Sequence, residues 1–318
     1  MNIRKWLGAL MALGLIVPGL AQAQGQTVRV IITWAPGGTT DYVARLYAQR
    51  LSQVTGNSFV VENRTGGSGV VGWGAVAQAR PDGHTILITD NSIVTVPPML
   101  PAPGFDVRGQ FEPVAELVEY PSVLTVPANF EARTMQDLLS IARTRPDAIN
   151  YGSMGNGSTM HLYMEVLQDL TGTHMTHVPY RGAGPAYLDL VAGRIQSAMV
   201  APPTMLSGMQ GGQVRALALS TSRGRVAAFP GVPTMRELGF DFDFSFWYGM
   251  FAPRGLDPAV AQRLRDAVNQ VNAMPDVQAR FAEQGAAPMP GDQHALARRV
   301  DSELERWTRL IRDKDIRP

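Results

Sequence analysis

The stretch Trp34-Ala35-Pro36-Gly37-Gly38-Thr39-Thr40-Asp41 is the part of the chain best suited to holding an anion. It follows an apolar run at 28–32 and precedes an amphipathic run at 41–54, which predicts a strand-to-helix turn. Its proline fixes φ, and its two glycines tolerate backbone conformations that other residues avoid. The helix start behind the glycines offers unpaired N–H groups and a positive dipole end. The turn therefore predicts an anion site, although a βα turn with no ligand explains the same residues.

A second glycine motif, Gly67-Ser68-Gly69-Val70-Val71-Gly72, matches the G-x-G-x-x-G pattern of dinucleotide-binding proteins. A helix is predicted after it, and Asp90 ends the next predicted strand. The spacing argues against a cofactor site, because the four residues 63–66 separate the preceding strand from the first glycine. A soluble nicotinamide cofactor is also not expected to meet an exported protein. A dinucleotide-dependent oxidoreductase is thus the weaker alternative, and we expect no cofactor.

Serine, histidine and carboxylate chemistry is not supported by the residue spacing. No serine lies in a G-x-S-x-G motif, since Tyr151 stands two residues before Ser153. The five histidines show neither the H-E-x-x-H spacing nor another metal-binding pattern. No paired carboxylates stand out either. We therefore predict no catalytic residues, no metal site and a protein that is not an enzyme.

The N-terminus predicts export. Arg4 and Lys5 precede an apolar run at 7–20, and Ala21-Gln22-Ala23 has the small-x-small cleavage pattern, so a secretory signal peptide cut after Ala23 is predicted. The apolar run is too short to span a membrane. The chain has no cysteine. An exported chain without disulfides depends on a sizeable packed core, which favours the periplasm over a harsher exterior.

Length and charge narrow the class of protein further. Of 318 residues, 295 remain after position 23, which suits two domains. Removing Arg4 and Lys5 from the 28 basic residues leaves 26 against 27 acidic ones, a net charge of −1. This balance indicates neither a nucleic-acid partner nor a membrane-surface partner. We expect a monomer that binds a small molecule.

Predicted strands and helices alternate along the mature chain, which favours an α/β fold with mainly parallel sheets and helices on both faces. The first block contains strands at 27–33, 58–62 and 85–89 and helices at 41–54 and 70–79. Strands follow at 112–119 and 122–126, and Thr134 with Asp137 predicts a capping box ahead of a helix at 135–145. The second block contains strands at 149–153, 175–179, 195–200 and 214–220 and helices at 159–170 and 185–192.

The last third of the chain is predicted to return to the first block. The aromatic segment 243–252 crosses back, and a short helical piece is predicted within 230–239. Helices are predicted at 258–274, 275–284 and 293–313. We therefore predict a first lobe made of 24–125 and 248–318, with a second lobe, 126–247, inserted between them. Two connections between the lobes form a hinge.

Six motifs, in this order and spacing, resemble the Bug (TctC-like) family of periplasmic solute-binding proteins, the receptors of tripartite tricarboxylate transporters. The motifs are 36–41 with Ala44-Arg45, then 60–64, 81–85, 177–182, 216–218 and 230–235. The resemblance covers essentially the whole mature chain. It implies a two-lobed, type II-like Venus-flytrap fold that closes on a small organic carboxylate and delivers it to the membrane subunits of the transporter. A ligand-sensing receptor for a membrane signalling protein is the alternative that the sequence leaves open.

The resemblance also implies a set of ligand-binding residues. The family's Pro-Gly-Gly turn contacts one carboxylate through backbone groups and ordered water. The end of the third strand lies at the same edge of the sheet, because ligands bind at the carboxyl ends of parallel strands. The implied residues are Trp34, Pro36, Gly37, Gly38, Thr39, Asp41, Asn91, Ser92, Ser153, Gly157, Ser158, Thr159, His161, Arg181, Gly182 and Ala183.

Several of these residues have a structural alternative. Asp41 stands where a helix N-cap belongs, and Ser158 is a candidate cap of the next helix. A histidine such as His161 packs more often than it binds a ligand. Arg181 suits a second carboxylate or a neighbouring backbone carbonyl. Trp34 replaces the Phe or Tyr common in the family and carries an indole N–H, so it is the expected specificity residue.

Overall fold

The computed structural model describes residues 25–101, 105–145, 147–221 and 224–316. The predicted signal peptide and its cleavage site after Ala23 lie outside these residues. In the described ranges, no helix is long and apolar enough to cross a membrane. The strands are β1 (Thr27–Ile32), β2 (Ser58–Asn63), β3 (Thr85–Asp90), β4 (Phe111–Pro127), β5 (Asn150–Ser153), β6 (Thr176–Pro179), β7 (Ser197–Val200), β8 (Val214–Ser220), β9 (Ser245–Pro253) and β10 (Ala287–Pro288).

The helices cover the faces of the sheets and carry most of the remaining described chain. They are α1 (Thr39–Thr55), α2 (Val70–Ala77), α3 (Ser92–Thr95), α4 (Val107–Gln110), α5 (Met135–Thr144), α6 (Thr159–Thr171), α7 (Ala183–Val191), α8 (Pro202–Gln210), α9 (Pro258–Asn272), α10 (Pro275–Glu283) and α11 (Gln293–Asp313). The predicted capping box of Thr134 and Asp137 is confirmed at the start of α5.

Strand β4 belongs to two sheets and joins the lobes. As far as Pro121 it pairs antiparallel with β9, in a sheet of order β2-β1-β3-β9-β4; from Ser122 it pairs with β8 and β7, beside β5 and β6. The strands that alternate with helices, β1 to β3 and β5 to β7, pair in parallel. We call the first sheet and its helices lobe 1 and the second lobe 2. The α/β fold is confirmed.

The connection between the lobes differs in detail from the sequence prediction. The strands predicted at 112–119 and 122–126 are one strand of 17 residues. The pairing changes sheet between Pro121 and Ser122, and the return strand begins at Ser245. Strand pairing alone does not fix a domain boundary, so the limits proposed at 125 and 247 stay predictions.

Helix α8 was not predicted, and its sequence explains why. Two prolines open it and a glycine, Gly208, lies near its end, so its intrinsic helix propensity is low. The prolines fit the first turn, where no N–H is needed. The glycine leaves room for Tyr187, whose hydroxyl would lie 1.7 Å from a Cβ at that position. Conversely, the helical piece predicted within 230–239 is a series of turns.

Helix α11 lies across both lobes. Leu296 and Val300 are buried on the side of lobe 1. About two turns further along the helix, Trp307 packs against Tyr163 of α6 and against Phe244. The ring centroids are 5.9 Å and 5.4 Å apart, respectively. The C-terminal helix therefore packs against the connection between the lobes.

A partly buried carboxylate lies in this region. Glu303 of α11 accepts a hydrogen bond from the indole nitrogen of Trp247 at 2.8 Å. The nearby Arg299 pairs instead with Glu116 and Glu119 of β4. Burial raises the pKa of Glu303 to about 7, against the opposing effects of the Trp247 hydrogen bond and the arginines.

We expect Glu303→Gln to flatten the pH dependence of folding stability. A carboxyl with a raised folded-state pKa favours the fold fully below its unfolded value, near 4.5, and loses this contribution as the pH rises through about 7. Between acidic and alkaline pH, the free energy of unfolding measured with urea should fall by roughly 2 kcal/mol less in the variant than in the wild type. This figure allows for the partial exposure of Glu303. The exposed Glu305→Gln is the control. Identical pH profiles for the wild type and Glu303→Gln would contradict the assignment.

Candidate functional site

Four helices begin at the cleft between the lobes, each just after a parallel strand. Helix α1 follows β1 in lobe 1, and α6, α7 and α8 follow β5, β6 and β7 in lobe 2. Their N-caps are Gly38, Ser158, Gly182 and Ala201, and only Ser158 caps with its side chain. The starts of α1 and α7 thus bring N–H groups without side-chain caps to one place, and α8, which opens on two prolines without N–H groups, adds a positive dipole end. This arrangement attracts anions.

The turn before α1 is held by a carboxylate behind it. Gly37 has φ +87°, where glycine is favoured, whereas Gly38 has an ordinary φ of −93°. Gly38 is the N-cap and Asp41 is the third residue of α1, so the predicted capping role of Asp41 is wrong. Its carboxylate instead reaches back and accepts the Gly37 N–H at 3.3 Å. Asp41 braces the turn from inside.

Asp41 is itself well paired. It forms an ion pair with Arg45, and Asn63 donates to it at 3.1 Å while also donating to the Trp34 carbonyl at 2.9 Å. Burial opposes ionisation, but the hydrogen bonds from Arg45, Asn63 and Gly37 lower the pKa of Asp41 below its usual value. The carboxylate is therefore charged and fully used in supporting the turn.

Trp34 is fixed by a buried carboxylate. The ring is 2% exposed, and its indole nitrogen donates to Asp90 Oδ1 at 2.7 Å. The indole N–H that was predicted to be available to a ligand is therefore already used, which corrects that expectation. The ring itself still lines the cleft. What Trp34 presents to the cleft is therefore its apolar ring surface.

Asp90 also links the two lobes. Its second oxygen accepts hydrogen bonds from the hydroxyls of Ser92, at 2.8 Å, and of Thr159 in lobe 2, at 3.1 Å. The Thr159 N–H donates to Ser92 Oγ at 3.2 Å. Asp90 is completely buried, and burial raises its pKa, an effect that these hydrogen bonds oppose. Ser92 and Thr159 thus join the lobes at the inner end of the cleft.

At the outer end, the backbones of the two facing turns touch. The Ala35 N–H donates to the Arg181 carbonyl at 3.0 Å. A Cβ on Gly182 would lie 3.0 Å from Ala35 N, and one on Gly184 would lie 2.6 Å from Pro36 O. Side chains at these two glycines would force the turns apart. Glycine at positions 182 and 184 therefore allows the two lobes to touch.

Two side-chain hydrogen bonds complete the contact between lobes. The hydroxyls of Thr39 in α1 and Thr204 in α8 lie 2.7 Å apart. The hydroxyl of Thr95 in lobe 1 donates to the carbonyl of Gly157 in lobe 2 at 2.7 Å. These bonds add to the polar contacts by which the two lobes meet along the cleft.

The loop from Ser153 to Thr159 is supported by the buried His161 and the half-buried His177. Ser153 Oγ lies 2.6 Å from His177 Nε2, and Nδ1 of His161 accepts the Gly157 N–H at 3.1 Å. The two imidazole rings stack with centroids 4.0 Å apart. Burial lowers the pKa of His161 to about 3 and that of His177 to about 4, so both are neutral near neutral pH. Ser153 and His161 support the loop.

A small enclosed space, which we call the inner cavity, lies where these elements meet. It is lined by Trp34, Gly38, Thr39, Thr40, Met154, Met160, Ala183, Ala201, Phe246 and Tyr248. Its volume is about 10 Å³, which is enough for about one water molecule. None of these lining residues carries a charged side chain.

A larger space, which we call the outer pocket, lies beside it. It is lined by Trp34, Thr65, Gly66, Gly67, Ser68, Met154, Gly155, Tyr180 and Arg181 and has a volume of about 310 Å³. Trp34 and Met154 line both spaces and form the wall between them. Arg181 is exposed on the far side of this wall from the inner cavity.

The structure separates the predicted site residues by role. Trp34, Gly38, Thr39 and Ala183 line the inner cavity, and Arg181 lines the outer pocket. The turns that touch contain Pro36, Gly37 and Gly182. Hydrogen bonds between the lobes involve Ser92, Gly157 and Thr159. The turns and loops of the cleft are supported from behind by Asp41, Ser153, Ser158 and His161. Asn91 donates to the Tyr163 hydroxyl and the Ser245 carbonyl, at the connection between the lobes.

Sequence reasoning missed several lining residues. Ala201 follows β7 as Ser153 follows β5, so the same sheet-edge argument would have found it. Phe246 and Tyr248 share one face of β9, and the period of two would have separated them from Trp247. The sequence gives no comparable signal for Met160.

Among the described residues, no group of histidines and carboxylates is arranged to hold a metal ion.

Comparison with known proteins agrees with this geometry. The family model described as "Tripartite tricarboxylate transporter family receptor" (TctC) matches residues 43–316. A relative from Pseudomonas sp. (strain P51), a UPF0065 protein in the tcbD-tcbE intergenic region, is 36% identical over 286 residues, covering 88% of this chain and 85% of its own length.

Solved structures show the same architecture. The R. palustris protein Rpa4515 with adipate is 32% identical with a TM-score of 0.88, over 92% of this chain and 98% of that one. MatC from Rhodopseudomonas palustris with bound malate is 30% identical with a TM-score of 0.85, over 90% and 99%. The chain belongs to the TctC family, the tripartite tricarboxylate transporter receptors, and has the fold of its periplasmic solute-binding proteins.

Proposed function

We propose that this protein is a periplasmic receptor that binds a small organic carboxylate in the inter-lobe cleft and delivers it to the membrane subunits of a tripartite tricarboxylate transporter. The observation that carries the proposal is the meeting of the starts of α1 and α7, one from each lobe and both without side-chain caps, at the inner cavity. Adipate and malate in the two related structures support the ligand class.

Binding of this kind relies on backbone groups and exclusion of water. Preorganised N–H groups at helix starts bind an anion without a paired cation, directly or through ordered water. The ligand must contact both lobes, because only a differential affinity for the two arrangements shifts the equilibrium between them. Gly38 and Thr39 from lobe 1 and Ala183 from lobe 2 meet this requirement. A volume of about 10 Å³ is too small for a carboxylic acid, so the lobes must part for entry.

We expect Gly38→Val to abolish carboxylate binding while the protein stays folded. A Cβ at Gly38 would lie 3.3 Å from both Ala183 Cβ and Gly184 N, so the larger valine side chain would hold the lobes apart. The φ of Gly38 suits any residue, so the fold itself tolerates the change. A thermal-shift screen of carboxylates on the wild type should first identify a ligand, and calorimetry should then show a loss of at least about 100-fold in affinity.

Gly74→Val is the matched control for this variant. Gly74 lies in α2, and a Cβ there meets no atom within 4 Å. Both variants should keep a stability within roughly 1 kcal/mol of the wild type. Wild-type affinity in Gly38→Val would disprove the site assignment, and absence of any carboxylate ligand for the wild type would disprove the function.

A disulfide between the lobes should block ligand entry. The chain has no cysteine, and the Thr39 and Thr204 hydroxyls lie 2.7 Å apart, so Thr39→Cys with Thr204→Cys places one thiol pair across the cleft. Stopped-flow measurements should show association at least about tenfold slower in the oxidised protein, because the entry-competent population falls. The reduced protein carries the same substitutions and is the control. Equal rates in both forms would show that ligand enters without lobe opening.

Delivery to a transporter is tested in cells. A strain that lacks this protein should lose uptake of the identified ligand, and Gly38→Val should not restore it. If uptake persists and only ligand-dependent gene expression is lost, the protein is a sensory receptor, and the transport part of the proposal is wrong.

A further inference from the structure

We infer that the inner cavity selects a monocarboxylate with an apolar body and disfavours a second carboxylate. The inference rests on the proposed function and concerns which carboxylates the cleft accepts. Three features carry it: the polar groups lie at one end of the inner cavity, a protein carboxylate occupies the remaining helix start, and the nearest lining cation lies beyond the wall.

The polar groups of the inner cavity gather around the start of α1. Gly38 lies against Ala183 at the start of α7, and Thr39 contacts Thr204 of α8, so these three helix starts are adjacent. Thr39, Thr40 and Tyr248, whose side chains carry hydroxyls, line the same cavity. One carboxylate satisfies this cluster of donors. The other lining groups are a tryptophan, a phenylalanine, two methionines and an alanine, which favour an apolar body.

The fourth helix start, that of α6, is already satisfied by the protein. Ser158 accepts the N–H of His161, and the N–H of Thr159 donates to Ser92. The Thr159 hydroxyl donates to Asp90, so a protein carboxylate stands where an anion would meet this helix. A second ligand carboxylate therefore finds no vacant helix start at this end of the cleft.

Asp90 also acts at a distance on the inner cavity. It lies directly behind the Trp34 ring and is paired in register with Tyr248 of β9, and both of these residues line the inner cavity. The Trp34 indole N–H can only donate to Asp90, and the hydroxyls of Ser92 and Thr159 are placed to donate to its other oxygen, so these contacts favour the ionised carboxylate against the opposing effect of burial. Like charges repel strongly in a buried, weakly polarisable environment. The second carboxylate of a dicarboxylate would therefore be repelled by the negative charge of Asp90.

No lining residue compensates for that charge. Arg181, the cation nearest in the lining of the two spaces, belongs to the outer pocket, across the wall of Trp34 and Met154. Arg45, close to the turn before α1, is paired with Asp41. Trp34 cannot swing aside without losing its hydrogen bond to Asp90. The second carboxylate of a diacid would thus be buried without a partner, which costs far more than burying a methyl group.

Calorimetry on the mature protein with acids of equal chain length tests the inference. Hexanoate against adipate, butyrate against succinate, and benzoate against terephthalate compare one carboxylate with two on the same body. Malate adds a hydroxy diacid. We expect the best monocarboxylate to bind at least about tenfold more tightly than its diacid partner and than malate.

Asp90→Asn separates the role of this charge from that of cavity shape. The amide retains an acceptor for the Trp34 indole, while the hydroxyls of Ser92 and Thr159 can turn to accept. The ratio of monocarboxylate to dicarboxylate affinity should fall by about tenfold, since the repelling charge is gone. Asp301→Asn removes the same charge at an exposed position and should leave the ratio unchanged. Thermal unfolding confirms that each variant is folded.

The outcomes distinguish this inference from the proposed function. Tighter binding of any diacid by the wild type overturns the inference and leaves the carboxylate receptor intact. An unchanged ratio in folded Asp90→Asn shows that Asp90 does not set the preference and overturns its role. If no carboxylate binds at all, the proposed function and the inference fail together.

Discussion

The cleft depends on the contact between two backbone turns that carry almost no side chains where they meet. Ala35 bonds directly to the Arg181 carbonyl, and glycines at 182 and 184 let the turns approach within hydrogen-bond distance. Any Cβ at those glycines would keep helix starts of both lobes from facing one ligand. The same absence of side chains leaves backbone N–H groups uncovered, as the proposed anion site requires. Closure and binding therefore rest on one constraint, and neither can change without the other.

Burying a carboxylate without a paired cation is energetically unfavourable, but here the buried carboxylate of Asp90 connects the two lobes. Asp90 is held by three donors, one from the Trp34 wall, one from its own strand end and one from Thr159 in lobe 2. The third bond exists only while the lobes are together. Removing it leaves a buried anion less well solvated by the protein, so the orientation of the Trp34 ring is coupled to lobe contact.

Sequence reasoning predicted the elements well because their hydrophobic periods and caps are local. Strand β8 and helix α11 have the predicted bounds. Sequence reasoning failed where the structure depends on contacts between residues that are far apart in the chain. Nothing local shows that Asp90 uses the Trp34 indole, since the two residues are 56 positions apart. Helix α8 has poor intrinsic propensity and exists because of its packing. The motif located the cleft, but the partners of each side chain came only from the fold.

The continuous strand β4 limits how the lobes can move. A strand cannot fold at one point without breaking ladder hydrogen bonds, and 17 residues here run unbroken from one sheet to the other. The change of partner occurs between Pro121 and Ser122. Because Pro121 has no N–H, changing the strand pairing at this point breaks fewer ladder hydrogen bonds than it would elsewhere in the strand. With α11 packed across the same region, we expect any relative motion of the lobes to occur by twisting of β4 and β9 about this point.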